Sequence, residues 1–334
     1  MDHFADQLEI FCCPACKGDL KLKDDGIDCV QCSTHYEIDN GIPLLFAPND
    51  WEDTEKDVTE VVKSFYEETP FPNYEDLEHI DDLIRKASAS AFARLLDKQV
   101  PFRTRVLEVG CGTGQLSNFL GIGNRIHFGT DMCLNSLKLA QQFKDREKLD
   151  RVGFYQMNLF KPIFKEETFN LVICSGVLHH TGDAFLGFQS ISKLVKKDGY
   201  IIIGLYNSFG RFFTNVIQVL VRAFGDRLRV LDPRLRNKKV GDLKKLVWFK
   251  DQYKHPHETN HSIGEVLRWF DSEGFSFVGS IPKIGVLDSF SADEQLFRPN
   301  SRGSGLTRLI TQLRFMIPGG REGGLFIMIG KRKS

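Results

Sequence analysis

The chain has 334 residues, 42% hydrophobic and 26% charged, enough for one large domain with a buried core and a small one beside it. Lys plus Arg and Asp plus Glu balance at 44 each, so no global basic field gathers nucleic acid. The balance hides an asymmetry: residues 1–60 carry 15 acidic and 4 basic side chains, whereas residues 207–254 carry 12 basic and 4 acidic. The opening "MDHFADQLEI" is acidic and lacks the apolar stretch of a secretory signal. No apolar run approaches the length that spans a bilayer. These features predict a cytoplasmic protein without a transmembrane segment, whose eight cysteines bind metal or stay as thiols rather than form disulfides.

Residues 1–50 form a cysteine-rich block punctuated by Gly and Pro. Residues 51–100 are polar and then helical, with Ile80, Leu83, Ile84, Ala87, Ala91 and Leu95 on one predicted helical face. From residue 101 to 206, five short apolar runs alternate with helical lengths: "RVLEVG", "IHFGTD", "GFYQMN", "FNLVICSG" and "GYIIIGLY". That rhythm predicts a parallel sheet wrapped by helices. After Tyr206 it breaks for a long insert, to about residue 261. One further helix, "SIGEVLRWFDSEG", and two strand-like runs, "FSFVGSIP" and "GGLFIMIGKR", follow.

Within the first block, Cys13-Pro-Ala-Cys16 and Cys29-Val-Gln-Cys32 give C-x2-C-x12-C-x2-C. Four thiolates so spaced suit a tetrahedral zinc ion, each pair coming from a tight turn. A block this small needs the metal for its folding energy, and a closed four-sulfur site makes that metal structural. Cys12 is not expected among the ligands. With "CCPACKGDL" and "CVQCSTHYEIDNGIPLLF", residues 8–48 resemble the zinc-ribbon family typified by the small activator subunit of tRNA and protein methyltransferases.

"VLEVGCGTGQL" follows an apolar run and opens a helix. Gly110, Gly112 and Gly114 allow a tight turn and a close approach of backbone to ligand. A dinucleotide loop wants its third glycine where Gln115 stands, and Glu108 would repel a pyrophosphate but suit a cationic ligand. Asp131 ends the next run, where a carboxylate can accept from both ribose hydroxyls; Asn158 ends the third, and "CSGVLHHTGD" the fourth.

From Glu108 to Gly114 the E/D-x-G-x-G-x-G loop is complete, and residues 65–334 resemble the class I S-adenosylmethionine-dependent methyltransferases. The resemblance implies an α/β fold: a Rossmann-like, seven-stranded, mostly parallel sheet with the zinc ribbon in front and a helical insert after the fifth strand. It implies that Glu108, Gly110, Gly112 and Gly114 hold the methionine part of the cofactor. Asp131, with Met132 beside it, would hold the ribose, Asn158 and Leu159 would flank the adenine, and Ser175 of "SGVLHH" would face the cofactor and substrate side. The family usually has Asp at position 158; an amide oxygen can still accept from the adenine amino group.

Residues 257–261 spell H-E-x-x-H, a zinc-protease signature that requires both histidines on one helix face. Ser262 to Glu265 reads as a capping box, so the helix is predicted to start after both histidines and the protease reading fails. The loop is expected at the carboxyl ends of the strands, near the donor methyl. Two readings stand there: a histidine base from among His255, His257 and His261, with Glu258 orienting it, or a polar lid loop whose histidines only cap backbone groups; the same two readings apply to His180. Of His179 and His180, one is expected in packing and one at the pocket.

In the insert, Phe209, Phe212, Phe213, Val216, Ile217, Leu220 and Phe224 form one stripe. We expect a helix packed as a lid over the active site; a peripheral membrane-surface helix is the alternative, and either suits a greasy or lipid-linked substrate. The lead "FYEETPFPNY" is predicted extended, with Tyr66, Phe71 and Tyr74 as a cover over the cofactor or as simple packing. The domains are thus a zinc ribbon at 1–50, a helical lead at 51–100, and a catalytic domain at 101–334 with its insert at about 207–261. The preferred substrate is a small molecule, a sugar or a lipid-linked intermediate, methylated on oxygen or carbon. The competing reading, an RNA methyltransferase gripping phosphates with ribbon and insert, is opposed by zero net charge, the acidic ribbon and the lack of N-P-P-Y after the fourth run. A non-catalytic scaffold is opposed by the intact loop.

Overall fold

The computed structural model of the chain describes residues 2–51, 56–68, 70, 77–225, 232, 235, 241–285, 291, 293–316 and 324–334. Phe71 and Tyr74 lie outside the described residues.

The amino-terminal block opens with a one-turn helix α1 (Asp2–Ala5). Strands β1 (Leu20–Lys23), β2 (Gly26–Cys29) and β3 (His35–Tyr36) form a three-stranded antiparallel sheet, and β4 (Ile38–Asp39) pairs with β5 (Ile42–Pro43). The lead then supplies α2 (Thr59–Glu68), α3 (Ile80–Ala89) and α4 (Ala91–Gln99). Two differences from the sequence reading have local causes. Phe65 and Tyr66 sit in the last turns of α2 rather than in an extended lead, since both prolines come later, at 70 and 72. The helical face from Ile80 to Leu95 is two helices, because Ser90 is extended and its Oγ accepts from the amide of Ala93, starting a new helix.

The larger unit alternates β6 (Arg105–Val109), α5 (Gln115–Ile122), β7 (Ile126–Asp131), α6 (Leu134–Arg146), β8 (Val152–Gln156), β9 (Phe169–Ser175), α7 (Ala184–Ser192) and β10 (Val195–Tyr206). The insert contributes α8 (Phe212–Phe224) and α9 (Asp242–Tyr253); α10 (Ile263–Ser272), β11 (Phe275–Ile281), α11 (Gly305–Leu313) and β12 (Leu325–Arg332) complete the chain. The seven strands run β8-β7-β6-β9-β10-β12-β11, and only β12 is antiparallel to its neighbours. The β-branched and aromatic runs of the central strands are buried on both faces, as a helix-covered parallel sheet requires. α3, α4 and α5 cover one face; α7, α10 and the amino-terminal block cover the other.

That block packs into the same core as the sheet. The Cys12 amide donates to the carbonyl of Ile163 and the Lys165 amide to that of Ile10, both at 2.8 Å. Leu44 bridges in parallel to Gln156, at the outer side of β8. Phe11 is fully buried, 4.8 Å from the ring of Phe164 and 4.9 Å from that of Tyr155, a burial that stabilises by about 1.5–3 kcal/mol. No helix among the described residues is long and apolar enough to cross a membrane.

Candidate active site

The turn from β6 into α5 depends on glycine where the sequence has it. Gly110 has φ +70°, and a Cβ there would come within 2.2 Å of Val177. Gly114, also left-handed, is the N-cap of α5. The loop is tied to the next strand: the amides of Gly110 and Cys111 donate to the Thr130 carbonyl at 2.7 and 2.9 Å, and the Gly112 amide donates to Asp131 Oδ2 at 2.8 Å. The Cys133 amide donates to Asp131 Oδ1 at 2.9 Å.

This loop floors a cavity of about 570 Å³ at the carboxyl ends of the parallel strands. Glu108, Gly110, Gly112, Asp131, Met132, Asn158, Leu159 and Ser175 all line it. Gly114 does not; it lies behind the loop, where a Cβ would meet Phe154 and Ala140. Glu108 lines the cavity and accepts a hydrogen bond from Ser117 Oγ. Burial, reinforced by the charge of Asp131, pushes its carboxyl up to about 7. Burial likewise raises the pKa of Asp131. The cavity floor thus sets two carboxylates beside a glycine loop, which fits a ligand that brings a cationic group and hydroxyls. Asn158 lines the cavity with its amide engaged by the protein. Its Nδ2 donates to the carbonyl of Ala47 and to Asn49 Oδ1, and its Oδ1 accepts from the Phe160 amide, so it ties the segment after the amino-terminal block to the cavity wall.

The opposite wall comes from farther along the chain. His180 lines the cavity, while His179 is fully buried with its ring 4.1 Å from that of Tyr206. Burial lowers His180 to about 4, keeping it neutral near pH 7. With Nδ1–H donating to the backbone carbonyl of His257 at 3.0 Å, its Nε2 is left as the lone-pair nitrogen. Tyr206 at the end of β10 and Trp248 and Gln252 of α9 line the cavity too. Gln252 Nε2 donates to the Tyr206 hydroxyl at 3.0 Å. Behind them Arg211 is fully buried. It donates to both carboxylate oxygens of Glu258 and to Gln252 Oε1, and its guanidinium lies 4.0 Å over the Tyr206 ring.

The 255–261 loop is a loop, since α9 ends at Tyr253 and Ser262 caps α10 with the predicted capping box. Its side chains differ from the sequence reading. Both oxygens of Glu258 accept from Arg211. His261 is held between Thr259 Oγ1 at 2.9 Å and Glu265 at 3.0 Å, over Trp269. Neither these two nor His257 lines the cavity; His257 reaches the site through its carbonyl. The stripe on α8 is no lid: Phe212, Phe213, Val216 and Phe224 are exposed, and α9 forms the wall instead. Val58, Thr59 and Val62 of the lead also line the cavity, alongside the expected Tyr66. The spacing of Val58, Val62 and Tyr66, four residues apart, was a readable helical signal.

The four sulfurs of Cys13, Cys16, Cys29 and Cys32 lie within 4.8 Å of one another, with Cys13–Cys32 at 3.7 Å and Cys16–Cys29 at 3.4 Å. Tetrahedral zinc–thiolate bonds put sulfurs about 3.8 Å apart, so the set fits the ion. Cys12 is outside it, its Sγ directed to the carbonyl of Pro162.

Residues 103–240 match the sequence model of the methyltransferase-domain family. The chain carries a class I, S-adenosylmethionine-dependent methyltransferase domain. It is 25% identical over 254 residues to protein syc1184_c of Synechococcus sp., covering 66% of this chain and 60% of that one. It is 29% identical over 122 residues to the ubiquinone biosynthesis O-methyltransferase of Glaesserella parasuis, covering 35% of this chain and 51% of that one. The chain therefore spans between half and two thirds of the length of these curated relatives. In fold it resembles PKMT2 of Rickettsia typhi, solved in complex with AdoHcy, with a TM-score of 0.53 and 13% identity over 73% of this chain and 52% of that one.

Proposed function

We propose that this chain uses S-adenosylmethionine to methylate a small molecule, a sugar or a lipid-linked intermediate, on oxygen or carbon. The observation that carries the reading is one cavity with Glu108 and Asp131 on adjoining strand ends and His180 on the wall. The cofactor supplies an electrophilic methyl on a sulfonium. Glu108 pairs with the cofactor's ammonium group, and Asp131 accepts from its ribose hydroxyls while the loop amides hold the carboxylate in place. Met132, Asn158, Leu159 and Ser175 shape the adenine and substrate sides. A neutral His180, its tautomer set by the His257 carbonyl, takes the proton from a substrate hydroxyl through Nε2. Tyr66, Val62 and Trp248 keep water from the reacting atoms.

The ribbon at 1–50 is read as holding a structural zinc on Cys13, Cys16, Cys29 and Cys32; the lead at 51–100 covers the cofactor, and 101–334 is catalytic, with its insert at 207–261. Titration with S-adenosylmethionine by calorimetry, followed by transfer of a labelled methyl to fractionated lysate, tests the reading. Micromolar binding lost in Asp131→Ala, with label in small molecules or lipids, is the expected result. No binding, or label in RNA, defeats it.

A further inference from the structure

The helix α8 wears its apolar face outward. Phe212, Phe213, Val219 and Phe224 are 51%, 52%, 62% and 69% exposed, and Val216 is exposed beside them. In a helix these positions share one face. The other face is already occupied: Val221 is buried with Phe249 and Tyr253 of α9, and Gln218 Nε2 donates to the Gln252 carbonyl at 2.8 Å. The stripe is therefore not a core face left over from packing. A second apolar stripe lies on α11, where Leu306, Leu309 and Leu313 are exposed. Phe315, just past α11, lies against Gly210, just before α8, so one end of each helix approaches the other. Neither helix contains an acidic residue.

Charge selects the occupant. The sequence following α8, residues 225–240, holds Arg227, Arg229, Arg234, Arg236, Lys238 and Lys239 against Asp226 and Asp232. In the sequence this basic run follows the apolar stripe directly, and an anionic surface attracts such a run. A wide aromatic and aliphatic stripe next to a basic run is the composition of a helix that lies in a bilayer interface.

We propose that α8 and α11 rest the enzyme on an anionic lipid bilayer. Because α9 lies between α8 and the cavity and lends it Trp248 and Gln252, the contact presents the pocket to an amphiphile held in that bilayer. The substrate half of this inference rests on the methyl-transfer reading; the membrane contact stands independently.

The test uses the full zinc-loaded chain and flotation with vesicles of phosphatidylcholine alone or with 40% phosphatidylglycerol. We expect at least tenfold more protein on the anionic vesicles, weakened by 0.5 M salt. Val219→Asp with Phe224→Asp should lower it at least tenfold, and Leu309→Asp should lower it further. Thermal melts and S-adenosylmethionine affinity should be unchanged in these variants, whose substituted positions are exposed. Absence of binding at either composition overturns the proposal, as does a double variant that floats like the wild type. A dimer that the double substitution turns into a monomer, without vesicle binding, assigns the face to a second copy and overturns it too. Loss of cofactor binding in the wild type would defeat methyl transfer and leave the flotation result standing.

Discussion

The floor of the cavity and its far wall are built by different means. The floor is a main-chain construction: between Glu108 and Asp131 the loop amides and one carboxylate are fixed by the β6–α5 turn and the neighbouring strand. The wall is a side-chain construction. His180 is set by a carbonyl 77 residues away, and Arg211 gathers Gln252 and Glu258 from 41 and 47 residues away. A floor of backbone keeps its shape when one side chain is altered. A wall of interlocked polar side chains, buried and paired, fails as a unit.

Four experiments separate the two. The largest effect should come from removing zinc, by chelation or by Cys13→Ser with Cys16→Ser. Metal binding in comparable small sites is worth about 10–16 kcal/mol, and the ribbon shares the core beneath the floor. Loss of the folded ribbon, read by proteolysis and thermal melts, is expected; an unchanged melt in metal-free protein would show that the floor stands alone. Next, His180→Gln should lower the rate about 10²–10⁴-fold with little change in cofactor affinity, since the floor is intact. Glu258→Ala removes the carboxylate that pairs with the buried Arg211 and should cost about 3–5 kcal/mol of stability, measured by denaturant unfolding. Should that variant also lose its cofactor affinity in the folded state, floor and wall are not separable.

The smallest effect concerns pH. Glu108 is raised to about 7 in the folded protein from an ordinary value near 4.5, so the free fold holds that proton longer than the unfolded chain. Its contribution to stability is therefore full below about 4.5 and is lost as pH rises toward 7. Cofactor affinity runs the opposite way: a cationic group binds the carboxylate, so affinity should rise through the same window, by at most about tenfold per pH unit, and level off above it. Glu108→Gln should flatten that profile and weaken binding about 10–100-fold, while making the free protein no less stable. Calorimetry between pH 5.5 and 7.5 reads both.

The same contrast explains what was legible. The floor announced itself because a turn that needs left-handed glycines and a carboxylate at a strand tip leaves residues at short, regular spacing. The strands, the capping box at Ser262 and the four clustered cysteines were readable for the same local reason. The wall was not. Nothing near Glu258 in the sequence reveals that Arg211 claims both its oxygens, and His257 serves by its carbonyl, which carries no side-chain signature. The stripe on α8 was visible as a stripe, yet periodicity cannot tell an inward face from an outward one.

The bridge from Leu44 to Gln156 has a further consequence. β8 ends the sheet, and an uncovered terminal strand is a template for pairing with another chain. By bridging to that strand at Gln156, the segment after β5 covers one end of the edge. A form lacking the ribbon would lose that guard along with Phe11's share of the core, and newly made catalytic domain would meet its own kind with a bare hydrogen-bonding edge.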